Sequence, residues 1–284
     1  MGKRLQQARQ AAGLTQQQLC HQANLSFSTL TKIERGAIKA PSVFTVQAIA
    51  GALGVGLDEL VGHEATGVAG RQLHRTKSGV SFVYFDVNGC LVHFYQRAFS
   101  KLAKTYDVRS DVVESAYWHL NDDACRGVLS RDDFNAKLAE RLGLKSVDWQ
   151  KYYMEAIEPV QAMQELLEWT IKRYKAGLLT NIMPGFVSAM RRSGKLPDLR
   201  YDAIIDSSAV AAIKPETRIY EIAQEQAGCP PEEILLIDDA RNNLMAAEKL
   251  GWHVMWFDDS LIEESVERVR EALEPAEEEA AGTD

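Results

Sequence analysis

Short apolar runs rich in β-branched and aromatic residues recur in the second part of the chain, with helical spacing between them. Uninterrupted runs of this length are typical of strands buried on both faces, and their alternation with helices predicts a parallel sheet covered on both sides. The predicted strands lie at 80–85, 176–179, 203–205, 234–237 and 254–257. The first sixty or so residues, in contrast, show four or five short helical patterns and no strand pattern.

The same patterns divide the chain into segments. One stretch without helical or strand spacing is rich in glycine, threonine and charge, which is typical of a linker. Another, within the α/β part, has helical spacing only and predicts a helical insertion. We therefore expect a helical domain at 1–62, a linker at 63–79, an α/β domain at 80–262 with the insertion at about 98–157, and an acidic C-terminal tail at 263–284.

Two helix starts in the N-terminal domain indicate a helix-turn-helix arrangement. Thr15 and Gln18 have the spacing of a capping box, and Ser26 can cap a second helix that Gly36 ends. Two short helices joined by a tight turn, with a further helix on each side, form a compact helix-turn-helix bundle. The apolar positions of the second helix face inward, so four side chains face outward. These are Phe27, Ser28, Thr31 and Lys32.

Three motifs of this domain are similar to one family. GLTQQQL at 13–19, LSFSTLTKIERG at 25–36 and PSVFTVQAIAGALGVGLDEL at 41–60 resemble the lambda-repressor-like, Cro-type helix-turn-helix family, of the xenobiotic response element type. The resemblance implies binding of double-stranded DNA at a palindromic operator, by a homodimer. A helical bundle that contacts only other proteins is the alternative.

The resemblance also assigns DNA contacts. Gln16, at the start of the first motif helix, would bind a phosphate, and the side chains that read the major groove would be Phe27, Ser28, Thr31 and Lys32. Phe27 departs from the family pattern, in which a polar or basic residue is more usual. Contact with a thymine methyl group and simple packing both remain open for it.

Polar residues follow the predicted strands of the α/β domain. The first strand ends in Asp86-Val-Asn88, the second in Thr180 and the fourth in Asp238, while Lys214 begins the helix after the third. Because the carboxyl ends of parallel strands meet at one edge of a sheet, we expect these side chains to converge. Carboxylates suit Mg²⁺, and a lysine with helix N-terminal amides suits an anion. The pattern predicts a site for Mg²⁺ and a phosphorylated small molecule.

Four motifs occur here in order: FDVNGCL at 85–91, LLTN at 178–181, IKPETRIY at 213–220 and LLIDDARNNLMAAEKLGW at 235–252. They resemble the haloacid dehalogenase (HAD) superfamily. The resemblance implies a two-domain protein in which the helix-turn-helix bundle is joined to an α/β, Rossmann-like HAD core. It also implies Mg²⁺ as the cofactor and a helical cap that closes over the site and selects the substrate.

Individual roles come from the same resemblance. The residues placed at the reacting centre are Asp86, Asn88, Thr180 and Lys214. Asp86 occupies the nucleophile position, and Mg²⁺ would be bound by Asp86, Asp238 and the backbone carbonyl of Asn88. Asp239 and Asn243 would support the metal site from behind.

The predicted cap contains several candidate side chains. Ser130 and Asp133 form a capping box that opens one of its helices. Tyr95, Trp118 and His119 are candidates for lining the site, although ordinary core or surface positions are the more frequent role for such residues.

Asn88 contradicts an ordinary phosphatase. The family pattern is Asp-x-Asp, whose second carboxyl group protonates the leaving group and later activates water, and an amide does neither. The sequence therefore favours a DNA-binding transcriptional regulator whose HAD-like domain senses a ligand, dimerises, or both, with weak or no phosphatase activity. An active Mg²⁺-dependent phosphohydrolase with an appended DNA-binding domain is the main alternative, and a protein-interaction scaffold is a third.

Charge and composition agree with this division. The chain has 284 residues and a net charge of −8, yet the first 62 residues carry six basic and three acidic residues, a charge of +3. Only this basic end is expected to approach a polyanion. The composition predicts about two folded domains, and the absence of a long apolar run predicts a cytoplasmic protein without membrane spans. The four cysteines lack paired spacing, so neither a zinc site nor a disulfide framework is expected.

Overall fold

The computed structural model describes residues 2–11, 14–23, 25–38, 41–53, 73–93 and 96–275. The chain divides into two compact units, Met1–Gly70 and Arg71–Asp284. No helix within the described ranges is long and apolar enough to cross a lipid bilayer.

The first unit is a helical bundle. Its described helices are α1 (Gly2–Ala11), α2 (Gln16–Gln22), α3 (Phe27–Glu34) and α4 (Val43–Leu53). The predicted capping box is present, because the Thr15 side chain accepts from the backbone N–H of Gln18, whose side chain accepts from the backbone N–H of Thr15. Ser26 caps α3 in the same way by accepting from the backbone N–H of Thr29. The core of the bundle includes Leu5, Leu19, Leu30, Ile33 and Ile49.

The second unit is built on a parallel sheet. Its strands are β1 (Phe82–Phe85), β2 (Val92–His93), β3 (Glu158–Pro159), β4 (Lys175–Thr180), β5 (Ala203–Asp206), β6 (Ile234–Asp238) and β7 (His253–Trp256). Five of them form one sheet in the order β5-β4-β1-β6-β7, and every pairing in it is parallel. These five strands coincide with the five predicted apolar runs, which confirms the predicted fold class.

Helices cover both faces of this sheet. The described helices of the second unit are α5 (Gln96–Tyr106), α6 (Ser110–Cys125), α7 (Arg131–Leu142), α8 (Trp149–Ala156), α9 (Gln161–Ile171), α10 (Phe186–Arg192), α11 (Ser207–Val210), α12 (Thr217–Ala227), α13 (Arg241–Lys249) and α14 (Ile262–Ala272). In β1, Val83 and Phe85 pack in the apolar cluster that includes α9 and α14, whereas Phe82 and Tyr84 pack in the cluster that includes α12 and α13. Two-sided burial explains why the strand sequences read as continuous apolar runs.

The predicted helical cap consists of α5 to α8. Its interior is aromatic: the ring of Trp149 stacks on Phe99 at 5.3 Å and lies 4.8 Å from Tyr117. The short strands β2 and β3 pair antiparallel where the chain enters and leaves the cap, with His93 opposite Glu158. The cap is thus joined to the core by two adjacent connections.

Two predicted boundaries are wrong. The acidic tail was predicted from 263, but α14 continues to Ala272, and Val269 and Leu273 are buried because they complete the apolar cluster on one sheet face. The linker was predicted to extend to 79, but Thr76 is buried and forms a β-bridge with Pro275. The last residues of the predicted linker therefore belong to the second unit.

Candidate functional site

Helix α3 presents a polar surface at the predicted DNA-reading positions. Ser28 and Lys32 are exposed, and Phe27 is 51% exposed at the first position of the helix. The side chain that departs from the family pattern thus lies on the surface and is not packed in the bundle core. These three residues are placed as a groove-reading surface requires, and their DNA contacts stay a prediction.

Thr31 and Gln16 are placed differently from the expectation. Thr31 is half-buried, and its hydroxyl oxygen is buried and makes no hydrogen bond within the described residues, so its contact with DNA stays a prediction. The amide Nε2 of Gln16 donates to Oε2 of Glu34 at 2.6 Å, and Arg9 Nε pairs with the other oxygen of the same carboxylate at 2.8 Å. Gln16 therefore ties α2 to α3 in this structure, and a phosphate contact through it stays a prediction.

The carboxyl ends of the central strands bring the predicted HAD residues together. Asp86 directly follows β1, and its backbone N–H donates to the carbonyl of Ile237 in the neighbouring strand β6, which ends at Asp238. The Nζ atom of Lys214 lies 3.0 Å from Oδ1 of Asp86 and 2.5 Å from Oδ2 of Asp238. All three side chains are buried, with that of Lys214 only 1% exposed. The floor of the site is this buried lysine–carboxylate cluster.

Two asparagines hold the floor in place. Asn243, at the start of α13, donates to both carboxylate oxygens of Asp238 at 3.0 and 3.2 Å, as expected for a supporting residue. Asn181 receives the backbone N–H of Lys214 on its Oδ1 at 2.7 Å and donates through Nδ2 to the Lys214 carbonyl at 2.8 Å. The sequence motif contained Asn181 but assigned it no role, because its partner is the backbone of a distant segment.

Burial and crowding of like charges shift the pKa values of the floor. Burial raises the pKa of Asp86 to about 8 against the lowering effect of Lys214, and burial together with Asp238 raises that of Asp239 to about 6. Burial lowers the pKa of Lys214, but Asp238 and Asp86 outweigh it and raise the pKa above its ordinary value. The single positive charge of Lys214 thus lies among three carboxyl groups and cannot balance the charge of all of them.

The residues present fit a divalent cation and an anion. Oxygens of Asp86, Asp238 and Asp239 lie within 4.8 Å of one another, and hard oxygen ligands suit Mg²⁺. The hydroxyl of Thr180, at the end of β4, is buried without a hydrogen-bond partner in the described part of the chain. A buried polar group without a partner is costly, and an anion oxygen would satisfy it. Gly89 allows the Asp239 carboxylate to approach the backbone closely, since a Cβ atom at position 89 would lie 2.1 Å from Oδ2 of Asp239.

Asn88 is held from two sides at the edge of this floor. Its Oδ1 accepts a short hydrogen bond from the hydroxyl of Tyr153, a residue of cap helix α8, and its Nδ2 donates to the carbonyl of Asn181 at 3.4 Å. Both ends of the amide are therefore used by the protein itself. Burial raises the pKa of Tyr153 well above its ordinary range, with further contributions from Cys125 and Asp86, so the phenol keeps its proton and acts as a hydrogen-bond donor.

The cap also contacts the core beside the site. The hydroxyl of Ser207 donates to the carbonyl of Cys125 at 2.6 Å and accepts from the backbone N–H of Ile182 at 2.9 Å. Arg126 donates to Glu216 at 2.7 Å. These contacts join the end of α6 to the loops that follow β4 and β5, so the cap lies against the core.

Two of the three candidate cap residues chosen from the sequence lie on the exposed surface of the cap. Trp118 is exposed on α6 and donates to Glu114 one turn away, and His119 is exposed beside it. Tyr95 lies outside the described residues. Tyr153, which does reach the site, was missed because its position on α8 is equally typical of a core aromatic.

Comparison with known proteins gives two separate matches for the N-terminal unit. Residues 5–60 match the helix-turn-helix family HTH_3. A 64-residue segment is 45% identical to the immunity repressor protein of Bacillus phage phi105, covering 22% of this chain and 44% of the repressor. The chain therefore spans less than half the length of that relative.

The second unit is similar in fold to several solved structures. A HAD family enzyme from Bacteroides thetaiotaomicron, in complex with magnesium and inorganic phosphate, has a TM-score of 0.55 at 18% identity, covering 64% of this chain and 96% of that chain. A predicted HAD-like hydrolase from Porphyromonas gingivalis has a TM-score of 0.56 at 22% identity, covering 67% of this chain and 98% of that one. Residues 81–251, more than half of the sequence, match the haloacid dehalogenase-like hydrolase family, and the chain belongs to that family.

Proposed function

We propose that this protein is a DNA-binding transcriptional regulator whose HAD-like domain binds Mg²⁺ with phosphate or a small phosphorylated molecule, and has weak or no phosphatase activity. In this proposal the HAD-like domain senses a ligand, dimerises, or both. The observation that carries the proposal is Asn88. Family phosphatases have a general acid and base at this position, and this chain has an amide. The amide is hydrogen-bonded to Tyr153 at its oxygen and to Asn181 at its nitrogen.

DNA binding is supported by the first unit. Its helix-turn-helix match, its likeness to a phage repressor and its basic charge all favour a nucleic-acid partner. Ser28 and Lys32 offer a hydroxyl and an ammonium group on the exposed face of α3. A single short recognition helix buries too little surface for a specific site, so we expect a homodimer on a palindromic operator.

Ligand binding is supported by the second unit. Asp86, Asp238 and the backbone carbonyl of Asn88 would hold Mg²⁺, with Asp239 and Asn243 behind them. When bound, the cation would neutralise charge on the phosphate group. The buried hydroxyl of Thr180 and the ammonium of Lys214 would donate to phosphate oxygens.

An active phosphohydrolase is the second candidate. It is favoured by the intact lysine–carboxylate floor, in which Asp86 sits beside Lys214 as a nucleophile position requires. Rapid hydrolysis of phosphomonoesters by the wild-type protein, lost in Asp86→Asn, would establish this second candidate and refute the regulator.

The test of the regulator is selection of bound duplexes from a random DNA pool, with and without Mg²⁺ and phosphate. We expect a palindromic consensus with half-sites about one helical turn apart. The double variant Ser28→Ala/Lys32→Ala should lose that preference, while Lys104→Ala, which removes an exposed positive charge from the second unit, should keep it. Binding that is only salt-sensitive and independent of sequence in the wild type would refute the proposal.

A further inference from the structure

Tyr153 is the cap side chain that reaches the floor of the site. It is 2% exposed, and its ring packs against Phe186 at 4.9 Å with a 60° tilt. Phe186 opens α10, the helix that follows β4, so the ring rests on the core although the residue belongs to the cap. The hydroxyl is directed at Asn88, two residues beyond Asp86. The phenol ring is therefore held in place at the edge of the floor.

Three hydrogen-bond donors lie around this point, beside the carboxylates that Mg²⁺ would neutralise. Lys214 offers an ammonium, Thr180 a hydroxyl that is buried without a partner among the described residues, and Tyr153 a phenol. The amide Nδ2 of Asn88 is turned away toward the carbonyl of Asn181. A ligand that complements donors on several sides is an anion whose oxygens only accept, and phosphate is such an anion.

The position of the phenol also restricts size. Tyr153 touches Asn88 while the cap is held on the core by the Arg126–Glu216 and Ser207–Cys125 contacts. Gly127 adds to this close fit, since a Cβ atom there would lie 2.3 Å from the carbonyl oxygen of Ser208. With the cap in this position, the phenol lies at the edge of the floor, next to Asn88.

We propose that Tyr153 determines the ligand of this site. When the anion binds, the hydroxyl turns its one proton from Oδ1 of Asn88 to an outward oxygen of inorganic phosphate, or of a phosphomonoester with a very small ester group, and its ring excludes larger phosphomonoesters. This inference rests on the proposed function, since it names the ligand class of the same Mg²⁺ and phosphate site. Asn88 has a positioning role, because its Oδ1 holds the hydroxyl at the edge of the floor until the anion binds.

The experiment is isothermal titration of the full chain with inorganic phosphate and with glucose 6-phosphate, both in Mg²⁺. The wild type should bind phosphate and bind glucose 6-phosphate far more weakly. Tyr153→Phe keeps the ring and loses the donor, so its affinity for phosphate should fall about 5- to 10-fold, because the wild type exchanges a neutral hydrogen bond to Asn88 for one to a charged group. Tyr153→Ala should gain affinity for glucose 6-phosphate.

Tyr152→Phe is the matched control. Tyr152 is the neighbouring buried tyrosine of α8, and its ring faces Tyr106 at 6.3 Å, not Asn88. This variant should bind phosphate as the wild type does. Unfolding curves of all variants separate loss of binding from loss of folding, and Tyr153→Phe remains decisive if Tyr153→Ala does not fold.

The outcomes separate the two proposals. Equal phosphate affinity of Tyr153→Phe and the wild type overturns the role of the hydroxyl, and equal wild-type affinity for phosphate and glucose 6-phosphate overturns the size limit. Both results leave the regulator proposal standing. Absence of phosphate binding in the wild type overturns the ligand site itself and this inference with it.

Discussion

Helix α3 and the buried floor of the candidate site differ in how their polar groups are exposed. On α3, Ser28 and Lys32 are exposed, whereas Asp86, Lys214 and Asp238 are buried beneath a cap. An exposed surface can contact a partner without rearrangement, but a buried site admits a ligand only when the cap moves. We therefore expect substitutions on α3 to change binding and leave the fold intact, and substitutions in the floor to change both.

The largest effect is expected for Lys214→Met. The substitution leaves the carboxylates of Asp86 and Asp238 buried without their cation, and breaking a buried ion pair from one side costs about 3–5 kcal/mol. Urea denaturation measures this loss in the free energy of unfolding. Mg²⁺ should raise the melting temperature of the variant more than that of the wild type, because the cation supplies the missing charge.

Lys104→Met serves as the control, because Lys104 is exposed on α5. Its free energy of unfolding should change by less than about 0.5 kcal/mol. A loss of the same size in both variants would show that the floor owes no stability to Lys214.

Gly89→Ala should have the next largest effect. The residue has a φ of +93°, and the added Cβ atom would lie 2.1 Å from Oδ2 of Asp239. We expect a loss of about 2–4 kcal/mol, from backbone strain together with displacement of that carboxylate. Gly194→Ala isolates the strain, because Gly194 has a φ of +70° with nothing within 4 Å of its Cβ position. The two variants should differ in urea midpoint, and equal midpoints would contradict a close approach at Gly89.

Asn88→Asp tests whether a carboxyl group at the edge of the floor restores phosphate ester hydrolysis. It restores a carboxyl group where the family has its acid and base, so hydrolysis of an aryl phosphate should rise by about tenfold or more, or about 1.4 kcal/mol in activation free energy. The expected gain is reduced because Asn88 Nδ2 donates to the Asn181 carbonyl, which a carboxylate cannot do. Steady-state kinetics with Asn88→Asp/Asp86→Asn as the inactive control measures the gain. No gain would mean that the site differs from a phosphatase in more than this residue.

Lys32→Ala should have the smallest effect on stability. Because Lys32 is exposed, its free energy of unfolding should change by less than about 0.5 kcal/mol. If the ammonium contacts a DNA phosphate, the slope of log affinity against log salt should fall by about one. A large loss of stability in this variant would contradict the expectation that substitutions on exposed α3 leave the fold intact.

The sequence was most informative where local chemistry and sheet topology coincide. Asp86, Lys214 and Asp238 could be predicted as neighbours because parallel strands place their carboxyl ends at one edge. The strands β2 and β3 could not be predicted, because two residues each are too few to show a periodic pattern. The two strands pair with each other, and only the folding of the cap between them brings them together.

Long-range side-chain contacts also could not be predicted from the sequence. Tyr153 is 65 residues from Asn88 in the sequence. From the sequence alone its aromatic ring is equally typical of the cap interior, because the contact forms only when the cap packs on the sheet. Thr31 shows the same limit in the N-terminal unit: helical spacing predicted an exposed position, and the residue is half-buried with its hydroxyl oxygen covered. Periodicity predicts which side of a helix a residue occupies and not how its neighbours cover it.

The bridge between Thr76 and Pro275 has a consequence for how this unit can be rearranged. The same junction contains an ion pair between Lys77 and Glu274, so the start and the end of the HAD-like unit lie side by side. A domain with adjacent ends tolerates circular permutation. Joining 275 to 73 through a short linker and opening the chain at the Gly194 turn should give a permuted domain that folds. The helix-turn-helix unit could then be attached at either of the two new ends.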